Sequence, residues 1–551
     1  YDIYKPTTAI EADLKLNKLY YADQLYNDVK AHAKIENEKV DVSMESHNDY
    51  CDMDCKLAAL LKNKHYAVDL QANVNYIDLQ ALKLSKTVSK GQGKISGYGE
   101  VNLKEQSYDI VLDVNDFNWT LPDNYYFTPK LSANIISDKE SIEAHIVDND
   151  FNLDFTSECG VDSFMKKMTK SQKIMMKQIE TKSLNIDTLQ QSLPKFACDV
   201  TVGKNNLLQQ YLTSSKIKFE DIKLNIVNDS TIYMKGKAQS VEFGTTKIDT
   251  ITIYANEKMK KLAYNLHMGN KKGTNDEFAS VTVLGGIEGS KLEALLEQKN
   301  IKGLTGFKIG VNAILSDTAV NLNFFPKNPI IGYRKWEVND SNVVAFNYKE
   351  RHFDADLALR SDSSYLSLKT IHTNMHGQED VLLNAKGIQI EEWLRLSPFA
   401  PPISGVLGAD MKLKYDGRNF WGDGVTHLKN LSYDGERVGD FDLTMNLELD
   451  PVKNCVILNS NLGVDGRCSI TAVGSLNDST SENPYNLNVE VKKFPLSTAS
   501  PFLPEGMAQL QGYLSGKMDV TGTPSKPKIN GYLQCDSAMV YMPVFRSRLY
   551  M

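Results

Sequence analysis

Proline is sparse in this chain, 17 of 551 residues, while hydrophobic residues make up 42% and charged residues 24%. That balance excludes a disordered chain. The net charge is −7, spread evenly along the chain. No basic field exists to hold a nucleic-acid backbone, so nucleic acid is excluded as a partner. No apolar run reaches the ~18 residues that a membrane-crossing helix needs. The chain opens at Tyr1 without a charged-then-apolar leader and closes in the strand-like run Val540–Phe545. Both ends look cut, which places any signal, anchor or tail outside this sequence.

Cysteine is also scarce, at seven, and the odd number leaves one unpaired. Cys51 and Cys55 are the close pair. On an extended strand they sit ~13 Å apart, too far for a disulfide. Asp52 and Asp54 beside them raise the thought of a metal, but cysteine as a small core residue is the preferred reading. The disulfide state and redox compartment stay open.

What is abundant is alternation. Ile10–Leu16, Phe151–Phe155, Phe353–Leu359, Phe441–Leu449 and Leu487–Val491 each place apolar and polar residues in strict turn. Period two sends one set to each face of a strand. The fold class expected is mainly β: a long, twisted antiparallel sheet, curled into a half-pipe groove of stacked repeats, with a few short helices. Turn clusters such as Tyr415-Asp416-Gly417 and Tyr433-Asp434-Gly435 punctuate it.

Helical signals are short. Ser290-Lys291-Leu292-Glu293 has the form of a capping box and predicts a helix to about Lys299, ended by Asn300. Asp187 begins a turn that Pro194 stops. Ile388–Leu396 reads as helix before Ser397-Pro398. Phe164–Lys182 is the longest, a basic amphipathic candidate in which Lys166, Lys167, Lys170, Lys173, Lys177 and Lys182 alternate with Phe164, Met165, Met168, Ile174, Met175, Met176 and Ile179. It either lies on anionic lipid or packs on the sheet, and packing is preferred because most amphipathic helices face a core. Strands opening on an apolar residue, a spacer and a small residue recur at Ile95, Phe196, Leu304, Ile403 and Leu510, 101, 108, 99 and 107 residues apart. Modules of ~100 residues follow from this: a partial module at 1–76, then 77–186, 187–290, 291–387 and 388–493, and a truncated one at 494–551.

Motifs with a chemical mechanism are few. His372 and His376 have the spacing of a helical zinc pair, but their surroundings read as strand, where two imidazoles so spaced cannot share a metal. Gly91-Gln92-Gly93 with Gly97 looks like a phosphate loop, but no strand–loop–helix surrounds it, and a glycine-rich turn is the better reading. No nucleophile elbow or phosphate-cradling loop occurs. The expectation is no enzyme, no cofactor and no metal.

Two stretches carry a resemblance. One is Phe324-Phe325-Pro326-Lys327-Asn328-Pro329-Ile330-Ile331-Gly332-Tyr333-Arg334-Lys335-Trp336-Glu337-Val338-Asn339-Asp340. The other runs from Pro501-Phe502-Leu503-Pro504 through Leu510-Gln511-Gly512-Tyr513-Leu514-Ser515-Gly516 to Gly522-Thr523-Pro524-Ser525-Lys526-Pro527-Lys528-Ile529-Asn530-Gly531. Over about residues 300–551 the chain resembles the conserved C-terminal region of the TamB family (of the translocation and assembly module) in the AsmA-like superfamily, in its Bacteroidota form. The resemblance implies a tall β-groove with an apolar lining and inner-membrane anchoring in a longer protein. It also implies a place in the periplasm, phospholipid transport between the membranes, and an outer-membrane β-barrel partner in assembly of outer-membrane proteins. Lipid identity and the direction of transport are not implied.

Physical chemistry reaches a similar place. A sheet with one dry face must cover it, close it or use it. On the order of 40 strands spaced ~4.8 Å apart would build a long lining. A 16-carbon tail on such a lining gains on the order of 10 kcal/mol, at ~0.8 kcal/mol per CH₂. The lining is expected from Met411, Leu413, Phe441, Leu443, Met445, Leu447, Leu449, Leu487, Val489, Val491, Met518 and Val520, with Asp442, Thr444, Asn446 and Glu448 facing water. The alternatives are a β-solenoid adhesin with a filled interior and a carbohydrate-active enzyme on a β-helix.

Overall fold

A computed structural model describes residues 9–21, 24–85, 90–121, 124–181, 185–244, 246–258, 260–270, 279–372, 379–395, 400–477, 483–504, 507–523 and 525–550. Among these described residues the fold is mainly β, as the alternation predicts: about 70% strand and 10% helix, in a long antiparallel sheet of 35 strands that does not close into a barrel. The chain divides into two compact units, residues 1–271 with 282–289, and residues 272–281 with 290–551.

In the first unit, strands follow one another as a meander. Ile10–Tyr21 pairs with Gln24–Glu36, that strand with Lys39–His47, and so on to Phe151–Ser157. Two-residue turns with positive φ join some of them, as at Asn37 (49°) and Glu38 (65°). This geometry matches the strands' own twist. Helices α1 (Val161–Glu180) and α2 (Ile186–Ser192) are inserted before Phe196–Val202, which pairs back with Phe151–Ser157. The Asn185 side chain caps α2 by accepting from the Thr188 N–H, and Pro194 follows its end. A third helix, α3 (Leu207–Ser214), has no counterpart in the sequence pattern. It is nucleated by fully buried Asn206, whose side chain accepts from the Gln209 N–H and donates to Asp150.

Three expectations need correction in this unit. Gly91 and Gly93 lie inside the strand Lys90–Asn102, not in a turn, and Gly93 lies against Phe117 of the next strand. Ile95 is likewise mid-strand. Helix α1 does not bury its apolar stripe on the sheet. It is held by Phe164, which packs edge-on to Phe155 and Phe196, and by the Ser192–Ser171 hydrogen bond to α2. Lys182 lies outside the described residues.

The second unit overturns the capping-box helix. Residues Lys291–Lys299 form a strand paired along its length with Thr305–Leu315. Glu, Leu, Lys and Gln are good helix formers, but intrinsic propensity amounts to only tenths of a kcal/mol per residue and tertiary context overrides it. Leu292, Ala294 and Leu296 also satisfy period two, and Leu296 packs on a hydrophobic core, so tertiary burial decides. Asn300 does end the element: its side chain accepts from the Lys302 and Leu304 N–H groups in the hairpin turn. Helix α4 (Ile390–Leu394) is shorter than expected because Ile388 and Gln389 remain in the strand Glu379–Gln389; Leu396, Ser397 and Pro398 lie outside the described residues. Among the other expected strand openings, Phe196 follows α2, Ile403 follows α4 and Leu510 follows a 3-10 helix, Leu496–Phe502. Leu304 follows a strand. From Glu379–Gln389 to Ser547–Tyr550 each strand pairs with the next.

Candidate functional site: one apolar face of the C-terminal unit

Directly opposed residues in antiparallel strands point to the same face, so the register determines which side chains share one. Leu413 opposes Gly422, which opposes Leu447, then Leu458, Gly474, Leu487, Val520 and Ile529. The adjacent row runs Met411, Gly424, Met445, Ser460, Ala472, Val489, Met518 and Gly531. A third contains Leu443, Leu462, Ile470, Val491 and Gly516. Phe441 and Leu449 flank these rows through Val464 and Val456. The structure therefore brings every residue named for the lining onto one face of successive strands. The sequence reading missed Val456, Leu458, Leu462 and Ile470, which complete the rows. Their strands, Cys455–Val464 and Arg467–Leu476, mix Ser, Asn and Gly with the apolar positions and alternate less cleanly.

The opposite face is polar. Thr444 opposes Val425 and Asn461, and Asn446 opposes Asp423 and Asn459. The Asn446 amide donates to Asp423 at 2.9 Å, and His427 Nδ1 lies 2.5 Å from Asp442. Thr444 and Glu448 are exposed. Arg437 holds the Asp465 carboxyl below the usual carboxylate range through a 2.7 Å contact.

Coverage changes along the apolar face. Leu443 and Met411 continue, through Ala409 and Leu383, to Ala385, Leu366, Leu359 and Leu357. There the face is filled. Phe307, Ile331, Trp336, Val338, Leu359 and Ile388 form a buried cluster, with Trp393 of α4 packed against it. Trp336 is 2% exposed, stands edge-on to Trp393 at 5.7 Å and donates its indole N–H to the Ile331 carbonyl. Gly332, at φ 61°, turns this segment under α4, where a Cβ would come within 2.9 Å of the Glu392 backbone. Arg334 Nε meets Glu392 at 3.0 Å; burial raises the Glu392 carboxyl and the guanidinium opposes that rise. Beyond this plug, of the residues named for the lining only Val491 is buried and the rest are half-buried; Val456 and Val464, which oppose Leu449 and Phe441, are buried, and the 3-10 helix Leu496–Phe502 packs against the strands Glu436–Asp450 and Gln509–Thr523.

The other sequence candidates fall elsewhere. His372 ends the strand Tyr365–His372, and His376 lies outside the described residues. Cys51 and Cys55 are free thiols on one strand, and burial pushes the Cys51 thiol up. Asp52 and Asp54 instead face His47, whose ring nitrogens lie 2.7 and 3.6 Å from them. Glu11, Asp13 and His32 come within metal-ligating distance of one another. The two carboxylates are exposed, a common arrangement without an ion, and only cross-strand register brings His32 opposite Asp13. No helix among the described residues is long and apolar enough to cross a membrane, which leaves strand-built membrane proteins untouched. Compared with protein-family models, with curated proteins and with solved structures, the chain matches none.

Proposed function

We propose that this chain is a non-enzymatic part of a cell-envelope bridge of the TamB type. Its apolar face receives phospholipid acyl chains, for lipid transport between inner and outer membranes, outer-membrane protein assembly, or both. The observation that carries the reading is the run of apolar rows across successive strands of residues 403–533, most of whose side chains are only half-buried, beside a polar face that includes exposed Thr444 and Glu448. A packed domain would bury such rows under a second layer. Lipid tails supply that layer at ~0.8 kcal/mol per CH₂, and a uniform lining lets them move without a chemical step. In this reading the protein works in the periplasm, anchored at the inner membrane and docked to an outer-membrane β-barrel.

The test is site-specific photo-crosslinking in cells. A crosslinker at Leu443 or Leu447 captures lipid; one at Thr444 or Asn446 does not. The filled cluster around Trp336 favours a second reading, a structural scaffold whose interior is covered throughout. That reading predicts no lipid adduct at any of the four positions. Equal capture at odd and even positions contradicts both.

A further inference from the structure

The lysine-rich helix α1 of the first unit has an unusual distribution of exposure. Lys166, Lys167, Lys170, Lys173 and Lys177 are all exposed, and none has an ion-pair partner among the described residues. At 100° per residue they occupy the side opposite Met165, Met168, Met175, Met176 and Ile179. In an ordinary amphipathic helix that second set would be buried. Here Met165 is 59%, Met176 49% and Ile179 56% exposed. The helix is fastened along a third, narrow seam that contains Phe164 and Ser171, the only buried residue of the helix. Gln178 adds bonds to the Asn185 backbone on the same seam. Among the described residues nothing buries the apolar stripe, which runs along a helix about 30 Å long at 1.5 Å per residue.

Charge narrows the choice of what meets it. The helix carries five lysines against two acids, Asp162 and Glu180, on a chain whose net charge is −7. A partner that fits must offer both an apolar surface and concentrated negative charge. An anionic bilayer offers both: acyl chains for methionine and isoleucine, and phosphate groups within a Debye length of every lysine. We propose that α1 is a docking surface for an anionic phospholipid membrane, lying in the headgroup plane with Met165, Met176 and Ile179 inserted. This proposal does not depend on the lipid-carrying reading of the C-terminal unit.

Vesicle cosedimentation of the whole chain tests it. Vesicles of phosphatidylglycerol and phosphatidylcholine are compared with phosphatidylcholine alone, at low salt and at high salt. The expected result is binding to the anionic vesicles only, weakened by salt. Replacing Lys166→Gln, Lys170→Gln and Lys173→Gln together lowers the partition coefficient on the order of a hundredfold. Replacing Met165→Ser, Met176→Ser and Ile179→Ser together abolishes binding, with an unchanged circular dichroism spectrum because all three are exposed. No binding to the anionic vesicles overturns the proposal, as does full retention in either variant. Self-association without lipid that the serine variant abolishes also overturns it, and assigns the stripe to a second copy.

Discussion

At the scale of the residue, identical chemistry has different consequences on the two stretches of one face. Trp336 and Leu447 are both large apolar residues on the inner side, yet Trp336 is 2% exposed and Leu447 only half-buried. Trp336→Ala leaves a cavity no neighbour can fill and should cost about 3–5 kcal/mol. Leu447→Ala should cost about 1 kcal/mol or less, since its side chain is in part already hydrated. Urea denaturation followed by tryptophan fluorescence and by circular dichroism separates the two. Leu443→Asp follows the same logic: cellular function falls, while the unfolding midpoint moves less than for a buried site, because the new charge keeps water contact. The His47–Asp52 pair predicts a pH dependence. The hydrogen bond to Asp52 raises His47 above its ordinary 6.5, and the same bond lowers Asp52 below its ordinary 3.8. The pair's contribution is therefore full between those ordinary values. It is lost as pH rises through the raised His47 pKa, and again as pH falls through the lowered Asp52 pKa. Amide protection factors in the strand Lys39–His47, taken relative to the intrinsic exchange rate at each pH, should be highest in that window, and His47→Gln should flatten the profile.

At the scale of the element, turns and registers carry the specificity. Asp434 (φ 50°) and Gly435 (φ 80°) make the tight turn between Phe420–Tyr433 and Glu436–Asp450. A Cβ on Gly435 would meet nothing within 4 Å, so Gly435→Ala is charged only for left-handed backbone, about 1 kcal/mol. Gly422 differs. At φ 139° its added Cβ would strike the Lys412 carbonyl oxygen at 2.1 Å. Gly422→Ala should therefore break the pairing with Ile403–Tyr415 and raise amide exchange there well beyond what Gly435→Ala does. The strand alternation was readable because one face is apolar and one polar; a slip by one residue would bury Asp442 and Glu448. Residues 290–299 mislead because a capping-box sequence and a period-two strand coexist in Ser290–Lys299. Only the pairing with Thr305–Leu315 selects between them.

At the scale of the whole molecule, sequential pairing means that every strand relies on its neighbours. A fragment of residues 388–493 would present two long unpaired edges and a half-bare apolar face. Such edges recruit other chains, so the fragment should aggregate or oligomerise in light scattering, and recovery of a cooperative monomer would contradict that dependence. The far-UV spectrum of the full chain should be that of a β protein, since only about 10% is helical.

The alternation of Phe441–Leu449 and Leu487–Val491 by itself determined the fold class and which side chains share a face, because strand geometry has a period of two and needs no knowledge of partners. Sequence could not determine what lies over that face. Trp336, Ile331 and Trp393 reach the apolar side of strands 352–389 through a backbone reversal at Gly332 and a short helix, and no local pattern encodes the distance between them. Nor does periodicity reveal whether an amphipathic helix is seated on its apolar side: α1 has the stripe of a packed helix, but the Phe164 and Ser171 contacts fasten it along another. Burial is a property of pairs of elements distant in sequence, and for that reason the tertiary structure alone decided which apolar surface is core and which is left open.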